Sequence, residues 1–255
     1  MTADLQGRHV IVTGAGQGIG RAIAEQILAS GGTVTAIDLN APALDELAAR
    51  GPRDRVLPVA GSVTDPAVAT LAVARSVSRF GAVRGLVNNA GISRPAMIEK
   101  MTLAQWQQVL EVHLTGAFLL LQAVGRHMLN RHRDGDHSGG SIVNISSDAG
   151  RRGTIDQINY GAAKAGVLGL TMCAAREWAS SGVRVNTVGF GIVETPMTET
   201  IRSDRFASGY LAQIPLRRWA EANEVARPVC FLLSDAASYV TGQHLSVNGG
   251  YTIGT

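Results

Sequence analysis

The amino-acid sequence predicts a doubly wound α/β fold, in which helices cover both faces of a parallel β-sheet. Short, continuously apolar runs alternate with Ala-rich segments of helical period along the chain. Strands that are apolar throughout, instead of at every second position, are typical of a sheet buried on both faces. No Pro/Gly-rich linker or fixed-period repeat divides the 255 residues. We therefore expect one domain that spans 1–255.

The individual elements follow in strict alternation. RHVIVTG, TVTAID and RVLPVA are rich in β-branched residues, as strands are, and each leads into a pattern of helical spacing, at 20–30, 42–50 and 65–80. The same arrangement continues with AVRGLVNNAG before a helix at 103–131, GSIVNISS before 157–180, VRVNTVG before 222–234, and HLSVNGG as the last strand. Glycines and mixed charges predict a surface loop at 131–140, and 195–219 is a second irregular region.

Composition excludes several classes of function. The net charge of +3 comes mostly from scattered arginines, without a basic block that would bind nucleic acid. Cys173 and Cys230 form no C-x-x-C pair or disulfide framework, which favours a reducing cytosol. The sequence shows no leader pattern, no apolar run of ~18 residues and no Cys/His cluster with metal spacing. We expect a soluble cytoplasmic protein with no nucleic-acid, membrane or metal partner.

A glycine-rich segment, TGAGQGIG at 13–20, joins the first strand to the first helix. Glycines allow backbone N–H groups and a helix N-terminus to approach a pyrophosphate closely. A turn without a ligand is the alternative, but four glycines at alternate positions cost conformational entropy that such a turn does not require. Asp38, at the end of the second strand, predicts hydrogen bonds to an adenosine ribose and repulsion of a 2′-phosphate, hence NAD over NADP. Its other interpretation is a cap for the helix that starts near Pro42.

Lys100 and Lys164 are the only lysines among 23 lysine and arginine residues. Lys164 follows Tyr160 by four residues, so a helix places both side chains on one face. Taken alone, this spacing fits two solvent-facing side chains equally well.

Four motifs together resemble the short-chain dehydrogenase/reductase family. They are T13-G-A-G-Q-G-I-G20, N88-N-A-G91, a serine thirteen residues before Y160-x-x-x-K164, and V240-T-G-Q243. Each motif is weak alone, but their order and spacing are specific, and the resemblance covers essentially the whole chain. It implies a Rossmann-like fold.

The resemblance implies a catalytic group of Ser147, Tyr160 and Lys164. Tyr160 would act as general acid/base, with the nearby ammonium and the nicotinamide charge favouring its phenolate. Lys164 would also hold the nicotinamide ribose, where a wide guanidinium would fit poorly. Ser147 would hydrogen-bond the substrate oxygen, and Ser146 would pair within the strand.

The resemblance also implies a set of cofactor-binding residues: Gly14, Gln17, Gly18, Ile19, Gly20, Asp38, Leu39, Ser62, Val63, Asn89, Ala90, Gly91, Tyr160, Lys164, Val193 and Thr195. Asn88 and Ala90 would lie beside the adenosine ribose, although a turn held by asparagine side chains explains NNAG too. Thr195 is equally compatible with a plain loop.

Three residues depart from the family pattern. His113 replaces the customary asparagine of a proton relay, either as a modified relay member or as a packed core histidine. Phe190 replaces a proline, so its ring would either narrow the pocket beside the nicotinamide or join the core. Ser62 replaces an aspartate that contacts adenine, so that contact should be weaker.

The expected function is an NAD-dependent alcohol dehydrogenase or ketoreductase for a secondary alcohol/ketone pair. Arg94, Arg151 and Arg152 would recognise an anionic substrate, unless they are simply exposed arginines. Two other functions stay open: an NADPH-dependent 3-oxoacyl-thioester reductase, which Asp38 disfavours, and an NAD-sensing protein with weak catalysis. From the resemblance we also expect a homotetramer.

Overall fold

Seven parallel strands form one sheet in the part of the chain that the computed structural model describes, residues 3–52 and 54–254. The strand order is β3-β2-β1-β4-β5-β6-β7. The strands are β1 (His9–Thr13), β2 (Thr33–Asp38), β3 (Val56–Ala60), β4 (Gly85–Asn88), β5 (Gly140–Ser147), β6 (Val183–Phe190) and β7 (His244–Val247). The chain winds outward from β1 to β3, then returns to β4 on the other side of β1. The doubly wound fold is thus confirmed, with its switch point between β1 and β4.

Helices connect these strands and cover both faces of the sheet. They are α1 (Gly18–Ala29), α2 (Ala41–Arg50), α3 (Pro66–Phe80), α4 (Leu103–Leu110), α5 (Gly116–Arg133), α6 (Ala149–Arg152), α7 (Ile158–Trp178), α8 (Glu199–Arg202), α9 (Asp204–Gln213) and α10 (Ala222–Leu233). A π-helical segment, Glu111–Thr115, joins α4 to α5. Such segments are rare and occur frequently at functional sites.

Two hydrophobic layers explain why the strands are apolar throughout. Val10 and Val12 of β1 belong to the layer under α1, α2 and α10, whereas Ile11 belongs to the layer under α3, α5 and α7. Because alternate side chains of a strand face opposite sides, both sets must be apolar when both faces are covered.

The carboxyl ends of the strands meet at one edge of the sheet. The register aligns Thr13 with Ile37 and Ser147 with Phe190. The segments that follow β1, β2, β4, β5 and β6 therefore converge at the same edge, which is where open α/β sheets bind ligands.

The prediction of an irregular region at 195–219 is wrong in part, because α8 and α9 lie within it. These helices are short, and no described residue of either is buried. A short exposed helix has no wide apolar face, so hydrophobic periodicity could not reveal it. The loop expected at 131–140 is confirmed after α5 ends at Arg133.

By length and composition alone, the 31-residue run Leu103–Arg133 could cross a membrane. Leu120, Leu121 and Val124 of this run pack under the sheet, as core helices do. Nearly half of its most apolar window, 44%, is buried within the protein.

Candidate active site

A cavity of about 440 Å³ lies along the carboxyl edge of the sheet. The predicted catalytic group, His113 and the predicted cofactor-binding set all line it: Gly14, Gln17, Gly18, Ile19, Gly20, Asp38, Leu39, Ser62, Val63, Asn89, Ala90, Gly91, His113, Ser147, Tyr160, Lys164, Val193 and Thr195. These residues span most of the sequence, and only the parallel sheet brings their segments together.

The glycine-rich segment forms one wall of the cavity. Gly14 and Gly18 have φ values of 64° and 54°, a conformation that favours glycine. A Cβ on Gly20 would lie 2.0 Å from the carbonyl oxygen of Gly14, so no other residue fits there. No side chain caps α1. The backbone N–H groups of its first turn are therefore available to an anion in the cavity.

Asp38 lies at the same end of the cavity. Its carboxylate accepts hydrogen bonds from the amides of Gly16, at 2.9 Å, and Asn40, at 3.0 Å. The alternative role as a helix cap is wrong, because the Asn40 side chain caps α2 by accepting from the amide of Ala43. Asp38 therefore holds the glycine-rich segment against the end of β2. Its carboxylate also lines the cavity wall.

The NNAG segment is held to β1 by Thr13, a residue that sequence reasoning missed. The Thr13 hydroxyl accepts hydrogen bonds from the amides of Asn89 and Ala90, at 2.9 and 3.0 Å. The Asn89 side chain donates back to the carbonyl of Thr13 at 3.0 Å. The prediction that Asn88 lies beside the ribose is wrong: its side chain is buried and donates to Asn144 at 2.8 Å, away from the cavity.

Ser62, Val63 and Leu39 complete the cavity wall at the end that contains Asp38. The Ser62 hydroxyl lies 2.8 Å from that of Thr64 and accepts from the Thr64 amide. Its hydrogen-bonding capacity is thus partly used within its own loop. Leu39 is 76% exposed, although it is a large apolar residue. Such exposure beside a cavity is suited to contact with a flat apolar group.

Tyr160, Lys164 and Ser147 meet at the opposite end of the cavity. Lys164 donates from Nζ to the carbonyl oxygen of Ile145 at 2.7 Å, and Nζ lies 5.6 Å from the centre of the Tyr160 ring. The Ser146 hydroxyl donates to the carbonyl of Lys164 at 3.0 Å, so its side chain joins β5 to α7 instead of pairing within the strand. Like Thr13, the Ile145 carbonyl that accepts from Lys164 is a contact that the sequence motifs did not indicate.

Burial, more than charge, controls proton affinity at this end. Desolvation lowers the pKa of Lys164 to about 7. Desolvation also raises the pKa of Tyr160, while a hydrogen bond with Ser147 opposes that rise. The expected phenolate depends on both the ammonium and a bound nicotinamide, so it stays a prediction; in the protein alone, burial favours the protonated phenol. The Tyr160 phenol is protonated at neutral pH and is set as a proton donor.

His113 lies between NNAG and the catalytic group, within the π-helical segment. Only 3% of it is exposed, and its ring meets that of Tyr160 edge to face, with centroids 5.0 Å apart. Nε2 lies 2.7 Å from the Ile92 carbonyl oxygen and 2.9 Å from the Ile92 amide. Nδ1 is buried with no hydrogen-bond partner among the residues described. Desolvation, and then the charge of Lys164, lower the pKa of His113 to about 3, so its ring is neutral.

Gly91 packs directly against the His113 ring. A Cβ at Gly91 would lie 2.2 Å from Cε1 of that ring. The glycine of NNAG is therefore required by the imidazole of this chain as well as by any ligand. This contact links the fourth strand's loop directly to the catalytic group.

The segment after β6 closes the cavity. Phe190 is 4% exposed and belongs to the core layer while also lining the cavity, so both of its expected roles coexist. Val193 is buried, and Thr195 packs across from the glycine-rich segment, with its Cγ2 3.5 Å from where a Cβ on Gly18 would be. Thr195 therefore faces the cavity and is not part of a remote loop.

The three candidate anion-binding arginines do not reach the cavity. Arg94 donates to the side chain of Gln108 and to the carbonyl of Ser93. Arg151 and Arg152 donate to the last residues of the chain. The three arginines thus hydrogen-bond to other parts of the protein and do not form a shared anion-binding site at the cavity.

Comparison with known proteins agrees with this geometry. A family model described as "Enoyl-(Acyl carrier protein) reductase" matches residues 14–252. The chain is 40% identical to the 3-oxoacyl-[acyl-carrier-protein] reductase FabG of Thermotoga maritima, over 98% of this chain and 99% of that one. It is 38% identical to the D-threitol dehydrogenase of Mycolicibacterium smegmatis, over 98% and 94%. A crystal structure from Brucella melitensis, named short-chain dehydrogenase/reductase SDR:Glucose/ribitol dehydrogenase, superposes with a TM-score of 0.91 at 34% identity and full coverage of both chains.

Proposed function

This chain belongs to the short-chain dehydrogenase/reductase family, and from that premise we propose that it is an NAD-dependent oxidoreductase for a secondary alcohol/ketone pair. The observation that carries the proposal is the single cavity that joins the glycine cradle and Asp38 to Ser147, Tyr160 and Lys164. A protein that merely sensed NAD would need only the first half of this arrangement.

The residues present fit NAD better than NADP. Gly20 lets the glycine-rich segment pack closely, since a Cβ there would lie 2.0 Å from the Gly14 carbonyl oxygen, and the uncapped N–H groups of α1 suit a pyrophosphate. Asp38 and Lys164 are the charged side chains among the described residues that line the cavity, and Lys164 is at the far end. A 2′-phosphate would thus meet a carboxylate with no arginine or lysine to neutralise it.

When bound, the nicotinamide supplies the hydride or accepts it. The protein supplies geometry and a proton. Ser147 hydrogen-bonds the substrate oxygen, and Tyr160, whose raised pKa keeps it protonated, donates a proton to the oxygen of a ketone or takes it back from an alcohol. Lys164 would donate to the nicotinamide ribose, and its Nζ lies 5.6 Å from the centre of the Tyr160 ring. Lys164 is 4% exposed, whereas Ser147 and Tyr160 are half-buried, so the proton-transferring hydroxyl can reach a substrate in the cavity.

His113 acts in this proposal as the neutral group that passes a proton beyond Lys164. Both residues also line a second, small cavity of about 10 Å³, and the unpartnered Nδ1 leaves one hydrogen-bonding position open. His113→Phe should lower kcat about tenfold, since a positioned acid/base group contributes 10²–10⁴ and a relay only part of that. His113→Asn, which keeps polar atoms, should stay within about threefold. Equal kcat values for the two variants, at unchanged NAD affinity, would argue for a packing role.

The substrate end of the cavity favours an uncharged molecule. Ile92 and Met197 line the cavity there, and Met97, Ile98 and Ile155 are large apolar side chains exposed on neighbouring loops. The amide of Ala96 donates to the carbonyl of Asp156 at 2.8 Å, so these two loops lie side by side. An apolar mouth suits a substrate with a hydrocarbon portion and does not suit a small polyanion.

A 3-oxoacyl-thioester reductase is the second candidate function. The same apolar mouth and the names of several relatives, including the 41% identical enzyme of Escherichia coli, favour it. Asp38 disfavours its expected use of NADPH. The carbonyl chemistry at Tyr160 is the same in both functions, so only the substrate and cofactor distinguish them.

The test is a turnover panel with both cofactors. The purified protein is assayed by the absorbance of reduced nicotinamide with neutral secondary alcohols, their ketones, polyols and a 3-oxoacyl thioester. We expect turnover of alcohol/ketone pairs with NAD(H) and at least about tenfold lower kcat/KM with NADP(H). Efficient thioester reduction with NADPH would transfer the proposal to the second function. NAD binding without turnover of any substrate would support a sensor.

We further propose a homotetramer in the cytoplasm. Phe118 on α5, Met172 on α7 and Leu245 on β7 are exposed apolar side chains on the elements expected to associate. Burying them against other copies would remove apolar area from water. Light scattering that gives the mass of one 26.7 kDa chain would contradict the assembly.

A further inference from the structure

We propose that the C-terminal segment, residues 246–254, positions the catalytic serine, through a side-chain pair between Asn248 and Asp148. This inference deepens the proposed function and depends on it only for the kinetic part of its test. The pair joins residues 100 positions apart in the sequence, and none of the four family motifs contains either member.

Asp148 directly follows Ser147 and is almost completely buried, with 3% exposed. Its carboxylate accepts from Nδ2 of Asn248, which lies 2.9 and 3.0 Å from the two oxygens. Its amide donates to the carbonyl of Phe190 at 3.3 Å. A buried carboxylate needs such partners, because an unpaired one would cost several kcal/mol. Asn248 therefore fixes the residue that leaves β5 just after the serine.

Asn248 also contacts the loop on the other side of the cavity. A Cβ on Gly191 would lie 2.9 Å from Cβ of Asn248, so the two backbones are packed together. Within its own segment, Asn248 accepts from the amide of Gly250 at 3.0 Å and donates to the carbonyl of Thr252 at 3.1 Å. One side chain thus ties the C-terminal turn to the two segments that follow β5 and β6.

Two arginines extend this connection along α6. Arg151 donates to the hydroxyl of Ser246 at 3.1 Å and to the carbonyl of Gly254 at 2.8 Å. Arg152 donates to the carbonyl of Tyr251 and lies over its ring, 4.0 Å from the centroid. A helix of four residues has no stability of its own. The C-terminal segment supplies the contacts that keep α6 folded.

The orientation of the catalytic hydroxyl depends on α6. The Ser147 hydroxyl oxygen accepts from the amide of Ala149, the first residue of α6, at 3.3 Å. The carbonyl of Asp148 accepts from the amides of Arg151 and Arg152. If the Asn248 contact is lost, α6 loosens and Ser147 loses the partner that aims it. A displacement of about 1 Å at a substrate-orienting group can cost up to about 100-fold in rate.

The test compares Asn248→Ala with the exchanged pair Asp148→Asn/Asn248→Asp, which restores an amide facing a carboxylate. Asn130→Ala, at an exposed asparagine on α5, is the matched control. In Asn248→Ala, amide hydrogen exchange over 147–153 should be about tenfold faster, with exchange over 13–20 unchanged. The exchanged pair should recover most of the protection. Arg151→Gln serves the same test if Asn248→Ala does not fold.

The kinetic readout separates positioning from structural support. We expect Asn248→Ala to lower kcat about tenfold at an unchanged NAD dissociation constant, and the exchanged pair to recover kcat to within about threefold. Unchanged exchange over 147–153, or equal acceleration over 13–20 and 147–153, would overturn the proposal. If the wild-type protein turns over no substrate, the proposed function fails, whereas the exchange comparison still decides whether the C-terminal segment holds the serine.

Discussion

The two ends of the cavity are built from different chemistry. At the end where we propose that adenosine binds, the adenosine end, backbone groups of the glycine-rich segment and one carboxylate, Asp38, form a wall that is partly open to solvent. At the catalytic end, His113 and Lys164 are 3% and 4% exposed, and burial shifts their proton affinities. In the proposed function, the first end recognises a dinucleotide by the shape of its backbone and by a single charge. At the second end, desolvation shifts the pKa values of the buried side chains. A short motif does not encode such a shift, because burial depends on the surrounding fold.

This difference makes the effect of a substitution depend on the end it touches. Changes at the adenosine end should alter which dinucleotide binds and how tightly, and should leave the chemistry of a bound one intact. Changes at the catalytic end should alter mainly turnover and its pH dependence. Four variants, from the largest expected effect to the smallest, test this division.

Tyr160→Phe removes the proton-transferring hydroxyl and keeps the ring that packs against His113. We expect kcat to fall about 10³-fold or more, because a general acid/base contributes 10²–10⁴, while the NAD dissociation constant changes less than about threefold. Tyr239→Phe, at a fully exposed tyrosine, is the control. Turnover that survives in Tyr160→Phe would remove this residue from the mechanism.

Gly20→Ala tests the other end. The added Cβ would lie 2.0 Å from a backbone oxygen that cannot move easily, so the cradle must distort. NAD should bind about 100-fold more weakly by calorimetry, as expected when a backbone cradle is displaced. Gly209→Ala on α9, where nothing lies within 4 Å of an added Cβ, should leave the dissociation constant unchanged. Equal effects of the two variants would show that the cradle is not the dinucleotide site.

Lys164→Met tests the effect of burial. Since desolvation lowers the Lys164 pKa from 10.5 to about 7, the unfolded chain holds that proton more tightly than the folded one. The buried ammonium therefore destabilises the protein fully below about pH 7, and the cost disappears as the pH rises toward 10.5. The variant should be about 2 kcal/mol more stable than wild type at about pH 6, with the gain vanishing near pH 10, and catalytically inactive.

Urea unfolding at several pH values measures that difference. Lys100→Met, at an exposed position, should show no such pH dependence. If the difference in the free energy of unfolding between Lys164→Met and wild type stays constant with pH, burial of the charged lysine does not destabilise the folded protein.

Asp38→Asn removes the charge at the adenosine end and keeps the size of the side chain. The preference for NAD over NADP, measured as the ratio of their kcat/KM values, should fall about tenfold, because repulsion of a 2′-phosphate is lost. Asp45→Asn on α2 is exposed and serves as the control. If the ratio does not change, Asp38 serves only to hold Gly16 and Asn40.

The sequence predicted the fold and the glycine-rich turn from local patterns, whereas the family resemblance supplied most of the other residues around the cavity. Hydrophobic runs identify strands buried on both faces, and glycine spacing identifies a turn that a pyrophosphate can approach. Position in a motif was a less reliable guide to side-chain direction. Asn88 and Asn89 are adjacent in NNAG, yet Asn88 faces the core and Asn89 binds Thr13.

By itself, then, the sequence determined the strands and helices, the glycine-rich segment, Asp38 and the Tyr160/Lys164 spacing, since each lies within one or two neighbouring elements. Only the tertiary structure decided that the arginines hold the chain's end, that Asn248 reaches Asp148, and that burial outweighs charge at Lys164. The reason is physical: desolvation and contacts between residues distant in the sequence arise from packing among many elements, and no single segment contains that information.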